Sequence, residues 1–159
     1  MVILTEQNDQ LQVLFTHRTN SVRTHKDQVS LPGGVIEKND ADLIQTAIRE
    51  TEEEVGINIK RAEIIGTLPP VESISNYLVQ PYISYKKEIK KISINEKEVG
   101  SVFNIPLDWI LDRANWELKK YRSSDKKERM VVFFKPFDGE VVWGITAQIM
   151  VNFAIALNW

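Results

Sequence analysis

Apolar runs at residues 2–4 and 11–15 flank Asn8 and Asp9, a pair suited to a tight turn, and predict a hairpin. A basic, polar stretch over 18–28 reads as a loop. Val29, Ser30 and Leu31 then read as a short strand that Pro32, Gly33 and Gly34 bring to an end. From residue 41 to 55 the period becomes helical, with Ile44, Ala47, Ile48, Thr51 and Val55 on one face. Asn39 and Asp40 are candidate N-caps, Asp42 suits the first turn, and Gly56 stands where a helix stop is expected. Strands are expected over 63–68, 77–85 and 99–103, with Pro69 and Pro70 opening the loop between the first two. Pro106 begins a short helix over 106–112. Residues 129–135 and 140–143 predict a second hairpin over Phe137, Asp138 and Gly139. A final helix over 145–157 carries Gln148 and Asn152 as its polar stripe. Strands and helices are intermixed, and some strands are hairpin-linked. This predicts an α/β fold, an α/β/α sandwich in which a mixed β-sheet carries helices on both faces.

Composition narrows the picture. The 159 residues are the size of one domain, and no repeat, low-complexity tract or linker divides them. Lys and Arg number 20 against 22 Asp and Glu, a net charge of -2, so no global basic field favours nucleic acid as a partner. There is no cysteine, which removes disulfides, thiolate nucleophiles and cysteine zinc sites. His17 and His25 are the only histidines, so a functional metal is expected to be a hard cation held by oxygen. The start of the chain lacks the basic region of a secretory signal, and a cytoplasmic setting is expected. Residues 141–159 carry no charge. With Gln148 and Asn152 inside and no basic anchor after it, this segment reads as a core or subunit-contact helix, compatible with a homodimer, rather than a membrane anchor.

The candidate chemistry sits on the 41–55 helix. Glu50, Glu53 and Glu54 stand at i, i+3 and i+4, on one arc beside the apolar stripe. Repulsion among exposed carboxylates costs only ~0.2–0.5 kcal/mol per pair, so the cluster alone is explained by a solvated acidic face with Arg49 paired to Glu52 or Glu53. Gly33 and Gly34 change that reading. Without Cβ atoms, a loop before the helix can bring backbone N–H groups close to a phosphate. Phosphates beside carboxylates make a customary setting for Mg²⁺.

The stretch Arg49-Glu50-Thr51-Glu52-Glu53-Glu54-Val55-Gly56-Ile57 resembles the second half of the Nudix box, G-x5-E-x7-R-E-U-x-E-E-x-G-U (U apolar), with Thr51 in the apolar slot. Enzymes with this box hydrolyse nucleoside diphosphates linked to another moiety. Counting back from Arg49, Ala41 and Val35 fall at the box glutamate and glycine; one extra residue before the helix instead brings in Asp40 and Gly34. Upstream, Thr16, Arg18, Arg23, Leu31, Pro32, Gly33 and Gly34 resemble the added signature of the coenzyme A pyrophosphatase branch, with Thr19 in place of Ser or Ala and Asp27 in place of glycine. The segments from Glu98 to Leu107 and from Val142 to Ala147 are similar as well, so the likeness runs over nearly the whole chain as one Nudix-type domain, 1–159. Relatives usually carry a leading segment before the first strand, which is short here.

The resemblance implies cleavage of coenzyme A, or an oxidised or acylated derivative, to 3′,5′-ADP and a 4′-phosphopantetheine product. It implies that Glu50, Glu53 and Glu54 hold Mg²⁺ or Mn²⁺, that Glu53 is the base toward water, and that Arg49 orients the glutamates. Gly33 and Gly34 would let the loop reach the diphosphate. Arg18 and Arg23 suit phosphate because guanidinium forks bind its oxygens in pairs. Glu98 is a candidate for a fourth acid. The partner is a small coenzyme A-like diphosphate, with neither nucleic acid nor membrane. Two alternatives stand beside this: a hydrolase of ADP-ribose or nucleotide sugars, and a catalytically idle Nudix-like domain that only binds nucleotide.

Overall fold

The Asn8-Asp9 turn shows how local chemistry starts the sheet. In the computed structural model, which describes residues 1–19, 28–74, 76–122 and 128–159, both residues take left-handed angles, φ 52° and 60°. Asn and Asp tolerate that region better than other side chains, and two such residues in succession match the twist of a hairpin. They join β1 (Val2–Gln7) to β2 (Gln10–Arg18) antiparallel, with Ile3 opposite Leu14 and Gln7 opposite Gln10. β3 (Val29–Ser30) adds to the far end of β2.

α1 (Leu43–Val55) follows, then β4 (Ile64–Thr67), β5 (Val71–Glu72), β6 (Leu78–Val79), β7 (Tyr82–Tyr85) and β8 (Val99–Pro106). α2 (Leu107–Leu111), β9 (Trp116–Arg122), β10 (Glu128–Phe134) and α3 (Gly144–Ala156) complete the order. β7 lies parallel to β1 and antiparallel to β4, and β8 pairs antiparallel with β2, so the sheet is mixed.

Side chains alternate across a strand, and here the two sets feed two cores. Val2, Leu4, Val13 and Phe15 pack with α2 and α3 on one face. Met1, Ile3 and Leu14 pack with Ala47 and Val55 of α1 on the other. Helices therefore cover both faces of the sheet, as the sequence pattern predicts. Burying a side chain such as Phe15 or Met150 stabilises the fold by ~1.5–3 kcal/mol. That term explains the uncharged terminal segment: Ala147, Ile149, Met150, Val151, Phe153 and Ala154 are buried against this core. Gln148 and Asn152, one turn apart, hydrogen-bond each other at 3.0 Å. Among the described residues no helix is long and apolar enough to cross a membrane.

Three sequence expectations are corrected. The run over 77–85 divides into β6 and β7, because Pro81 interrupts it and β6 pairs with β5 outside the main sheet. The expected hairpin of 129–135 with 140–143 reduces to one isolated bridge, Phe133 with Trp143, with a second, Phe137 with Glu140, at the turn. The full ladder of β10 runs instead against β9, from Glu128 opposite Arg122 to Phe134 opposite Trp116. Four charged residues in Trp116–Arg122 disguise that strand in the sequence. Finally, α1 starts at Leu43 with Asp42 as its N-cap, accepting from the Gln45 N–H at 2.9 Å. Asp40 is not the cap because it is engaged elsewhere.

Candidate functional site

The last two turns of α1 face three different environments. Glu54 lies on the sheet side and is 3% exposed. Its Oε2 accepts from the Gly33 N–H at 3.1 Å, and its Oε1 lies 3.6 Å from Arg18 Nη1. Glu50 is half-buried, with Oε1 accepting from Arg49 Nη1 at 2.9 Å. Glu53 is exposed, and its Oε2 accepts from the same Nη1 at 2.9 Å. Thr51, in the slot otherwise apolar, is fully buried; its hydroxyl donates to the Ala47 carbonyl at 2.7 Å, so no polar atom is orphaned there.

Arg49 is the hub. Its Nε donates to Asp40 Oδ1 and its Nη2 to Asp40 Oδ2, both at 3.0 Å, a bidentate fork. Nη2 also reaches the Val35 carbonyl at 3.2 Å. Asp40 in turn accepts from the Glu37 N–H and the Thr46 hydroxyl, each at 2.9 Å. These bonds hold the Asp40 carboxyl well below the usual carboxylate range and the Arg49 guanidinium firmly charged. Of the two registers the box pattern allows, the one with Asp40 makes the contact to Arg49, so the extra residue is absorbed in the loop before the helix. Asp40 also closes the loop onto the helix that bears the acids.

Gly33 and Gly34 bring that loop against the carboxylates. A Cβ on Gly34 would lie 2.3 Å from the Glu50 carboxylate carbon, so only glycine leaves this acid its place. The Met1 amino group donates to the Pro32 carbonyl at 2.6 Å, tying the start of β1 to the same loop. Arg18, at the end of β2, turns toward Glu54; its Nε is buried with no hydrogen-bond partner among the described residues. Arg23, His25 and Asp27 lie outside the described residues. His17 points to the opposite face, 3.7 Å from Glu140.

Electrostatics set the acids apart. Burial pushes the Glu54 carboxyl up to about 7, against the pull of the Gly33 N–H and Arg18, and Glu50 and Glu98 add to the rise. Burial raises Glu50 as well, partly offset by Arg49, with Glu53 and Glu98 again adding to the rise. Glu98 precedes β8, far from α1 in sequence, yet its charge acts on both. Among the described residues no three Asp, Glu or His side chains are already arranged to hold a metal ion. Arg49 Nη1 donates to both Glu50 and Glu53, and Glu54 is engaged by the Gly33 N–H and Arg18. The donor set nevertheless fits a hard divalent cation: only carboxylate oxygens, crowded and partly desolvated, whose repulsion a cation would relieve.

The Glu54 shift carries a prediction. The folded protein holds this proton more tightly than the unfolded chain, whose carboxyl sits near 4.5. The contribution to stability is full below that value, is lost as pH rises to about 7 and is flat above it. Metal-free protein is expected to lose melting temperature between pH 5 and 7 relative to Glu54→Gln. If Glu54 is a metal ligand, the rise in melting temperature on adding Mn²⁺ is expected to grow over the same interval, because a ligating carboxylate must be deprotonated. Parallel pH profiles for the two proteins would refute the assignment.

Known proteins share the family and the fold of this chain. The Nudix domain profile matches residues 1–122. A protein of Pectobacterium atrosepticum described as an uncharacterized Nudix hydrolase NudL is 34% identical over 149 residues, covering 92% of this chain and 75% of that one. The Nudix domain of Shewanella oneidensis NrtR, solved with ADP ribose, superposes with a TM-score of 0.57 at 25% identity, over 69% of this chain and 71% of that one. A MutT/nudix family protein from Enterococcus faecalis shares the fold with a TM-score of 0.64 at 17% identity, over 99% of this chain and 60% of that one. With its Arg49-to-Ile57 segment folded as the last turns of a helix closed by a glycine loop, the chain belongs to the Nudix family of hydrolases.

Proposed function

We propose that this chain, as one domain over 1–159, hydrolyses the diphosphate bond of coenzyme A or an oxidised or acylated derivative, giving 3′,5′-ADP and a 4′-phosphopantetheine product. The observation that supports it most is the position of Arg18. This residue of the coenzyme A-type signature ends β2 with its guanidinium 3.6 Å from Glu54, beside the acids rather than on a remote surface. An arginine there can receive phosphate oxygens close to where the bond is cut. Arg23 is proposed as a second phosphate contact, which a substrate with both a diphosphate and a 3′-phosphate can use.

In this reading Glu50, Glu53 and Glu54 hold Mg²⁺ or Mn²⁺. A divalent cation in such a setting neutralises diphosphate charge, polarises phosphorus and makes water more acidic. Glu53 is the most exposed of the three, and only its Oε2 is held by Arg49. Its Oε1 is therefore the candidate to take a proton from the attacking water. Arg49 orients Glu50 and Glu53 from its anchorage on Asp40. Gly33 and Gly34 keep the loop low enough for the diphosphate to lie against its backbone. Glu98 adds a fourth acid from outside the helix.

Purified protein incubated with coenzyme A species, ADP-ribose, NADH, nucleotide sugars and dinucleoside polyphosphates is expected to turn over coenzyme A species fastest, with Mg²⁺ or Mn²⁺ and not in excess EDTA. Turnover unaffected by EDTA would remove the metal site. Faster cleavage of ADP-ribose or a nucleotide sugar would favour the broader reading, which Thr19 and Asp27 motivate. Binding without turnover of any substrate would leave the idle domain.

A further inference from the structure

Glu50, Glu53 and Glu54 are positioned by one helix, but Glu98 is not. It arrives on the segment before β8, and its charge repels both Glu50 and Glu54. Glu98 is half-buried, and its place beside α1 depends on what fastens the segment before β8.

The contacts of Asn95 supply the hold. Its backbone N–H donates to the Glu54 carbonyl at 2.9 Å, and the Ser93 N–H donates to the Val55 carbonyl at the same distance. These are carbonyls that the end of α1 leaves without helical partners. Asn95 is thus fastened to the backbone of a residue that carries one of the acids. Its side chain reaches the other way: Nδ2 donates to Glu98 Oε1 at 3.1 Å. Oδ1 accepts from the Lys97 N–H at 3.3 Å, which fixes the orientation of the amide. The Asn95 carbonyl accepts from the N–H groups of Glu98 and Val99, each at 2.9 Å. Beyond it, the Glu98 carbonyl accepts from the Thr19 N–H at 3.0 Å, next to Arg18. One asparagine thereby joins the backbone of Glu54 to the carboxylate of Glu98, on a segment that also anchors the end of β2.

We infer that Asn95 is a positioning residue, which holds the Glu98 carboxylate in register with the acids of α1 by donating to it from a support fixed on the Glu54 carbonyl. Asparagine suits this task. It is neutral, so it adds no charge to a crowded acidic site. It also offers a donor to the carboxylate and an acceptor to the loop at once. Aspartate at this position would keep the acceptor, lose the donor and face Glu98 with a like charge. The inference rests on the proposed role of Glu98 as a fourth acid.

The test uses the full chain, with Mn²⁺ as the probe. Two quantities are read: the Mn²⁺ concentration that half-completes the rise in melting temperature, and the Mn²⁺ concentration that half-activates turnover. Asn95→Ala is expected to raise both about tenfold, with KM for the substrate at saturating Mn²⁺ little changed. Asn95→Asp, isosteric and still able to accept from Lys97, is expected to raise them further, and it serves if the alanine variant does not fold. In a Glu98→Gln background the Asn95 substitutions are expected to add nothing, since the carboxylate they act through is gone. A wild-type Mn²⁺ response in Glu98→Gln would overturn the role of Glu98 and this inference with it. A damaged Glu98→Gln beside Asn95 variants of wild-type response would overturn the inference alone. Equal damage from Asn95 substitution with and without the Glu98 carboxylate would assign Asn95 to the loop's structure instead.

Discussion

Glu53→Gln is expected to lower kcat by ~10²–10⁴-fold at saturating Mn²⁺, the range for loss of a positioned base, while Glu52→Gln keeps wild-type turnover. The pair isolates geometry from charge. Both residues lie in the same turn, both are exposed, and each substitution removes one negative charge. Glu52 Oε1 accepts from the Asn58 amide at 3.2 Å, on the side away from the acids. Glu53 shares the Arg49 Nη1 with Glu50, so it belongs to the network that reaches Asp40 and the glycine loop. If the helix were a solvated acidic face, the two variants would behave alike and near-neutrally, since each exposed pair repels by only ~0.2–0.5 kcal/mol. The measurement is kcat together with melting temperature in the absence of metal. Glutamine keeps the shape of the side chain, so the melting temperature is expected to move little in either variant. Wild-type turnover in Glu53→Gln, or an equal loss in Glu52→Gln, would show that the catalytic face is assigned wrongly.

Gly34→Ala is expected to cost ~10²-fold in kcat with a small loss of stability. The added Cβ would lie 2.3 Å from the Glu50 carboxylate. What yields is the end of a flexible side chain, so the fold gives way cheaply. The price falls on the site: Glu50 must leave Arg49 and its place beside Glu54, and a displacement of about 1 Å at reacting groups can cost 10²-fold. The informative comparison is Gly34→Ala against Glu50→Gln. If Gly34 acts by making room for Glu50, the alanine variant should resemble the loss of that acid, with a higher Mn²⁺ requirement and a near-normal melting temperature. A Gly34→Ala enzyme with wild-type kcat would show that the close approach has no catalytic purpose.

The hairpin over Asn8 and Asp9, the helix that stops at Gly56 and the buried terminal helix were legible without coordinates, because each rests on short-range chemistry. Turn residues tolerate left-handed angles, a glycine closes a helix, and a 3.6-residue period marks an apolar face. The same locality placed Glu50, Glu53 and Glu54 on one arc of a helix beside Arg49, and the resemblance to the Nudix box singled that arc out from a solvated acidic face. It did not reveal that they divide among burial, half-burial and solvent, nor that Glu54 faces the sheet. Strand β9 is hidden in the sequence because its charged residues mask the alternation, and only pairing with β10 makes it a strand.

Contacts between distant segments were beyond the sequence for a physical reason: nothing local fixes them. Asp40 could have capped the helix or faced Arg49, and both suit its chemistry. The loop path decides, and it gives Asp40 to Arg49 and the cap to Asp42. Glu98 stands 44 positions after Glu54 in the sequence. Its charge reaches Glu54 only because β8 pairs with β2 and the segment before it crosses the end of α1. The sequence by itself determined the first hairpin, the two-faced sheet and the acid-bearing helix, because periodicity and turn chemistry act over a few residues. Tertiary structure alone decided which acid is buried, which arginine serves as hub and which asparagine holds Glu98, because burial and pairing depend on what the rest of the chain brings alongside.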